Sequence, residues 1–174
     1  MKSALRFLPA VLALACLAMS KKAAVSVRFY AEANARDGEQ FSKPITLQNP
    51  AREAFIEKIP SISEQSIKAM YPFQVTDGSW GACFKLDNKG RIDLEVLSTE
   101  RRGSSLVIFV VTPKGIHQVI DVLIDRKIRD GVITIPRGMT ELEITALKKE
   151  YGAMTAAGFA ALMNADPVMG QERR

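Results

Sequence analysis

Leu106-Val107-Ile108-Phe109-Val110-Val111 is the stretch whose reading decides the fold. It is an uninterrupted apolar run without a charge, and every residue after Leu106 is β-branched or aromatic, the composition of a strand buried in the middle of a sheet. Gly103 stands just before the run and marks the end of a helix over 90–101, which starts at Asp87-Asn88-Lys89-Gly90. Ile92, Val96 and Leu97 supply that helix with an apolar stripe, with Leu94 close beside it. Before the helix, 81–86 reads as another strand. After the central run, Pro113 turns the chain over 112–115, and 116–124 returns as a strand whose main apolar members are Ile116, Val119, Val122 and Ile124. Asp130-Gly131 turns into a strand over 132–135. Gly138-Met139-Thr140 closes the sheet region, and Thr140, Ile144 and Leu147 open a last helix that Gly152 ends.

Farther out, 25–33 alternates Val25, Val27, Phe29 and Ala31 against Ser26, Arg28, Tyr30 and Glu32, the period of a half-buried strand. Asp37-Gly38 supplies a turn, 45–48 returns as a second strand, Asn49-Pro50 breaks it, and 53–59 is a third extended segment. Ser61-x-x-Glu64 has the form of a capping box and predicts a short helix over 62–70, with Ile62, Ile67 and Met70 facing inward and Pro72 as its stop. The Ala-, Met- and Gly-rich composition from Ala153 onward predicts a poorly ordered tail over 153–174.

Residues 1–20 read as a secretory signal peptide. Lys2 and Arg6 precede the apolar stretch 7–19, and Ala18 and Ser20 place small residues at a cleavage site. The stretch is shorter than the roughly 20 residues a membrane-spanning helix needs. Ala13-Leu14-Ala15-Cys16 offers an alternative, lipidation of Cys16, which would anchor the protein rather than make it span. The formal net charge of +5 falls to +3 once Lys2 and Arg6 leave with the signal. The remaining basic residues are scattered among acids, and Arg101-Arg102 and Lys148-Lys149 read as solvated helix ends. Nucleic acid is therefore not an expected partner, since it calls for a clustered basic face. At 47% hydrophobic and 25% charged residues, the 174-residue chain has the composition of a globular protein and can bury a core over 21–152 without disulfides or metals.

From 55 to 150 the residues resemble the first extracytoplasmic domain of the protein-export membrane protein SecD. Ile59-Pro60-Ser61-Ile62-Ser63-Glu64-x-x-Ile67 is similar to that family's approach to its first helix, and Ala82-Cys83-Phe84-Lys85-Leu86-Asp87-x-x-Gly90 to its strand and helix start. Ser98-Thr99-x-x-x-x-Gly103-x-x-Leu106-x-Ile108 resembles its helix exit. The stretch 115–124, Asp130-Gly131-x-Ile133-x-Ile135 and Gly138-Met139-Thr140-x-x-x-Ile144 resemble its hairpin and last helix. The resemblance implies a stand-alone, secreted form of that module and contact with polypeptide in the cell envelope. It does not carry over motor activity, for which SecD uses transmembrane helices.

One histidine and two cysteines leave few candidates for catalysis or metal binding. His117 is the single imidazole and reads as an exposed or hydrogen-bonded turn residue; Cys83, in an apolar run, reads as buried packing. With these two isolated there is no zinc spacing, and no metal or cofactor is expected. No Gly-x-Ser-x-Gly elbow or phosphate loop occurs. Asp121 and Asp125, about 13 Å apart by strand rise, read as solvated or salt-bridged acids rather than a catalytic pair. Trp80, between Gly78-Ser79 and Gly81, has two readings, a recognition anchor or a lid on the core. The fold expected is α+β, a mostly antiparallel sheet of about five or six strands with two main helices on one face. The function expected is a secreted or periplasmic, non-enzymatic interaction module; the alternative is a hydrolase without a recognisable motif.

Overall fold

In a computed structural model, which describes residues 25–165, the run 106–111 lies inside strand β6 (Ser105–Thr112), hydrogen-bonded on both sides to β1 (Ser26–Ala33) and β7 (Gly115–Leu123). The signal segment 1–20, the Cys16 alternative and the final stretch 166–174 lie outside the described residues. Ile108 is fully buried, and β6 is an interior strand, one in from the edge strand β7. The remaining elements are β2 (Ser42–Gln48), β3 (Ala51–Glu57), β4 (Ile67–Gln74), β5 (Trp80–Leu86), α1 (Asn88–Glu100), β8 (Val132–Met139), α2 (Glu141–Tyr151) and α3 (Ala156–Asn164). The class is α+β, with every pairing of strands antiparallel.

The single sheet expected from sequence is two sheets. One has the order β2-β3-β1-β6-β7 and the other β4-β5-β8. Their facing sides enclose the main core, in which Phe29 of β1 meets Phe84 of β5 edge to face at 6.2 Å. Leu94 of α1 and Ile144 and Leu147 of α2 complete it. Each such side chain contributes roughly 1.5–3 kcal/mol on burial.

The five-stranded sheet curls until its two edge strands face each other. Gln118 of β7 donates from Nε2 to the Thr46 carbonyl of β2 at 3.1 Å. Asp121 of β7 accepts the Gln48 and Asn49 N–H groups at 2.7 and 2.9 Å. The curl encloses a second, smaller core of Tyr30, Leu47, Ala54, Ile56 and Val107. The Lys43 ammonium closes it, 5.0 Å from the Tyr30 ring centroid. Asp121 is thus buried and bonded to main chain, not a solvated strand acid, because its register opposite Val107 turns it into the curl.

The helix predicted over 62–70 is replaced by one 3-10 turn, Glu64–Ser66, followed at once by β4. Ser61 does not cap a helix. Its hydroxyl accepts the Ala31 N–H at 2.7 Å and donates to Glu57 at 2.8 Å, so the capping pattern is spent on a tertiary contact. Ile62 and Met70 are buried as expected, but from an extended chain. Pro72 sits inside β4, where an edge strand tolerates the missing N–H.

Helix α1 forms where predicted and buries only part of the expected stripe: Leu97 packs against the core beside Leu94, while Ile92 and Val96 do not. Leu94 is 1% exposed, whereas Ile92 and Val96 are 46% and 47% exposed. Its register is set by Gly90, where a Cβ would lie 2.6 Å from the Ser66 Cβ, and by Asp87, whose carboxylate accepts the Gly90 N–H at 2.7 Å. One and two turns on, Leu94 and Ser98 follow Gly90 inward. The Ser98 hydroxyl accepts the Ile128 N–H at 2.9 Å and so ties down the β7–β8 connection.

The segment from Ala153, for which composition predicts little order, instead carries α3 over Ala156–Asn164, with Thr155 as its N-cap. Its Phe159 is buried beside Tyr71 of β4 at 6.0 Å between centroids.

Candidate interaction surface

Strand edges are the places where a folded chain can pair with another chain, and proteins ordinarily block them. In the five-stranded sheet both edges are engaged, because β2 and β7 are bridged through Gln118 and Asp121. In the three-stranded sheet, β8 carries Pro136 and approaches β7 at Gly138, where a Cβ would stand 3.0 Å from the Val119 carbonyl. That close approach, with φ at 102°, requires glycine there. The edge of β4 is different. What pairs with it is a short piece of the chain itself: Met154 donates its N–H to the Met70 carbonyl at 2.8 Å, in a parallel bridge between Met70 and Ala153.

The face of the three-stranded sheet turned away from the core is aromatic beside this edge. Tyr71 and Phe73 lie with centroids 6.0 Å apart, and Phe159 of α3 continues the row at 6.0 Å from Tyr71. Phe73 lies across Gly81, where an added Cβ would be 2.5 Å from its ring. Cys83 belongs to this face. Ala82 and Phe84 take the core side of β5, so Cys83 between them is half-buried on the outside, its Sγ 3.5 Å from the Thr134 hydroxyl, and not the buried packing residue expected.

Trp80 begins β5, the central strand of the three, opposite Gln74 of β4 and on the core side of the sheet. A tight turn holds it there. The Asp77 carboxylate accepts both the hydroxyl and the N–H of Ser79, and these bonds hold it below the usual carboxylate range. The indole is half-buried against the main core, with the Lys148 ammonium 4.9 Å from its ring. Lys148 is therefore not a purely solvated helix end. Sequence reasoning missed Tyr71, Phe73 and Phe159, although the alternation Lys68, Met70, Pro72 against Ala69, Tyr71, Phe73 carries the signal of a strand with one aromatic face.

The other polar constellation is at the start of α2. Glu143 accepts the Thr140 N–H and hydroxyl at 2.8 and 2.9 Å through Oε2, and its Oε1 lies 2.8 Å from His117 Nδ1. The Thr140 hydroxyl is directed to the carboxylate, whose other oxygen meets the imidazole, so the arrangement ties β7 to α2. On α1, Glu95 lies 2.8 Å from Lys127 and 3.4 Å from Arg91; the bond from Lys127, joined by Arg129 and Arg91, holds its carboxyl below the usual range. These are structural cross-links on the surface. Among the described residues, no group of three or more His, Cys, Asp or Glu side chains is placed to hold a metal ion, and no helix is long and apolar enough to cross a membrane.

No family model matches the chain, and no curated protein matches its sequence. A solved structure does match the fold: a chain of SecDF, described as a membrane component that enhances protein export, with a TM-score of 0.51 at 13% sequence identity. The fold is SecD-like. The likeness covers 75% of this chain and 63% of the SecDF chain, so this protein spans less than two thirds of that structure. At this identity the likeness establishes architecture and transfers no residue roles.

Proposed function

We propose that this protein is a non-enzymatic interaction module, exported from the cytoplasm, that holds extended stretches of polypeptide by main-chain pairing at the β4 edge. The observation that carries the reading is that edge itself: beside it stand Tyr71 and Phe73, and main-chain pairing already occurs there through Met70. Strand addition draws affinity from main-chain hydrogen bonds and specificity from side-chain contacts beside them, which is the chemistry this surface offers. The fold shared with SecDF, a component that enhances protein export, supports a polypeptide as the partner. Trp80, half-buried on β5 opposite Gln74, is proposed as a further anchor beside the end of that edge. Residues 1–20 are proposed to direct export, with a lipidated Cys16 as the other form the mature N-terminus can take.

Trp80 is the only tryptophan of the chain, so its fluorescence reports on the β4–β5 end next to this surface. Titration with a reduced, carboxymethylated protein, which cannot refold, is expected to shift Trp80 emission saturably, while the same protein in its native, disulfide-bonded form leaves it unchanged. An unchanged emission accompanied by no binding in a parallel sedimentation experiment would overturn the reading. Export has its own test. N-terminal sequencing of protein recovered from an envelope fraction should find a chain lacking 1–20, and a chain that begins at Met1 would contradict it.

A further inference from the structure

The segment lying on the β4 edge is not an ordinary terminal element. Gly152, with φ at 70°, ends α2 and turns the chain back toward β4. Ala153 and Met154 then pair with Met70, and Thr155 caps α3 through the Gly158 N–H at 3.2 Å. Phe159 is the one buried residue of the nine that make up α3. A helix that short is marginal in isolation, below the roughly 12–15 residues that water tolerates, so its place depends on what its side chains dock against. Two contacts join it to β4: an N–H on the Met70 carbonyl, and an aromatic ring on Tyr71 five residues later. A polypeptide added to the β4 edge would have to make the same two contacts in the same place.

We propose that 153–164 is a displaceable strap, an internal competitor that occupies the polypeptide site on β4 and yields it to an extended segment bringing main-chain donors and an aromatic side chain for Tyr71. The proposal rests on the polypeptide-binding reading above and adds the regulation of that site. Its chemistry follows from β4. Residues of one parity along a strand direct their main-chain groups to the same side, and Pro72, next in parity after Met70, has a carbonyl but no N–H. At Pro72 the edge therefore accepts a hydrogen bond and offers none, so a partner must supply a donor there. One position earlier in the same parity, at Met70, the strap already supplies a donor, the Met154 N–H. A site closed in cis for most of the time shows an affinity reduced by its open fraction, and the cost disappears when the strap is loosened.

The test uses the full chain and a fluorescein-labelled synthetic peptide copying 151–164, followed by anisotropy. Phe159→Ala, which frees the strap and leaves both cores intact, is expected to bind the peptide at least tenfold more tightly than the native chain. Adding Tyr71→Ala should abolish that binding, as should replacing the phenylalanine of the peptide with serine. Equal affinity for the native chain and Phe159→Ala would remove the strap as a competitor while leaving polypeptide binding in place; no binding by either would remove both. Dimerisation of Phe159→Ala without a gain in peptide affinity would assign the surface to a second copy and overturn the proposal. A variant-free readout is available in amide exchange of the native chain. The Met154 N–H should exchange at least tenfold faster than the Cys83 and Phe84 amides of β5, since a strap opens locally, and exchange at the same rate would contradict it.

Discussion

Asp121 shows how much of this structure hangs on one side chain. Its carboxylate accepts two main-chain N–H groups at the turn between β2 and β3, where the Asn49-Pro50 peptide is cis, and so draws the hairpin over β7. Asp121→Ala leaves both donors without their acceptor in a buried setting and is expected to cost about 3 kcal/mol, the range for hydrogen bonds to a charged group. Urea unfolding should record it, and amide exchange should rise first at Gln48 and Asn49. Tyr151 makes a second prediction. Burial pushes its phenol up to about 12; the Val27 main chain moderates the shift, although the hydroxyl makes no hydrogen bond of ordinary geometry. A phenol raised in the folded state binds its proton more tightly there than in the unfolded chain, whose tyrosine titrates near 10. The folded state is therefore favoured fully below pH 10, and this contribution is lost as pH rises from about 10 to about 12, at no more than about 1.4 kcal/mol per pH unit. Tyr151→Phe should flatten that part of the melting profile; an unaltered alkaline slope would show that another group controls it. Neither role is legible in the sequence, because each depends on a partner far along the chain. Parity along 116–124 and hydropathy give no sign that an aspartate opposite Val107 would be enclosed by a hairpin.

Among the elements, α1 separates existence from orientation. Its start at Asp87, its extent and its end before Gly103 follow from capping and glycine chemistry, and the structure keeps them. The buried face does not follow, because the apolar residues Ile92, Leu94, Val96 and Leu97 lie on more than one side and do not choose between them. The choice is made by Gly90, small enough to press against Ser66, which a pattern of apolar residues does not register. Leu94→Ala should cost about 2–5 kcal/mol, while Val96→Ala should stay within about 0.5 kcal/mol of the native protein; equal losses would contradict the observed face. The interior strand β6 is the converse case. Its uniform apolar run admits no other placement, and Ile108→Asp, which buries an unpaired charge, should cost several kcal/mol. A melting temperature close to that of the native protein would refute the place of β6. β4 was obscured because Ser61 and Glu64 have helix-capping spacing, and only the tertiary bond from Ala31 reveals that Ser61 is otherwise engaged. α3 was obscured by an alanine-rich composition in which one phenylalanine carries the docking.

Over the whole molecule, two sheets enclose one core between them while the larger sheet curls around a second. The α+β class and the SecD-like architecture were legible from turn glycines and alternation, since these fix local geometry. The division into two sheets was not, because strand order depends on which faces meet. That division places the candidate surface. Curling brings β2 and β7 together, β8 approaches β7, and β4 remains as the edge held by the chain's own strap. The central claim, that a polypeptide adds to this edge, is tested most directly by hydrogen–deuterium exchange across the full chain, with and without a saturating reduced, carboxymethylated protein. The account predicts slower exchange in β4 around Met70 and faster exchange at Met154, as partner replaces strap, with β6 unchanged. Slower exchange along β7 or β2 with β4 and Met154 unchanged would contradict it.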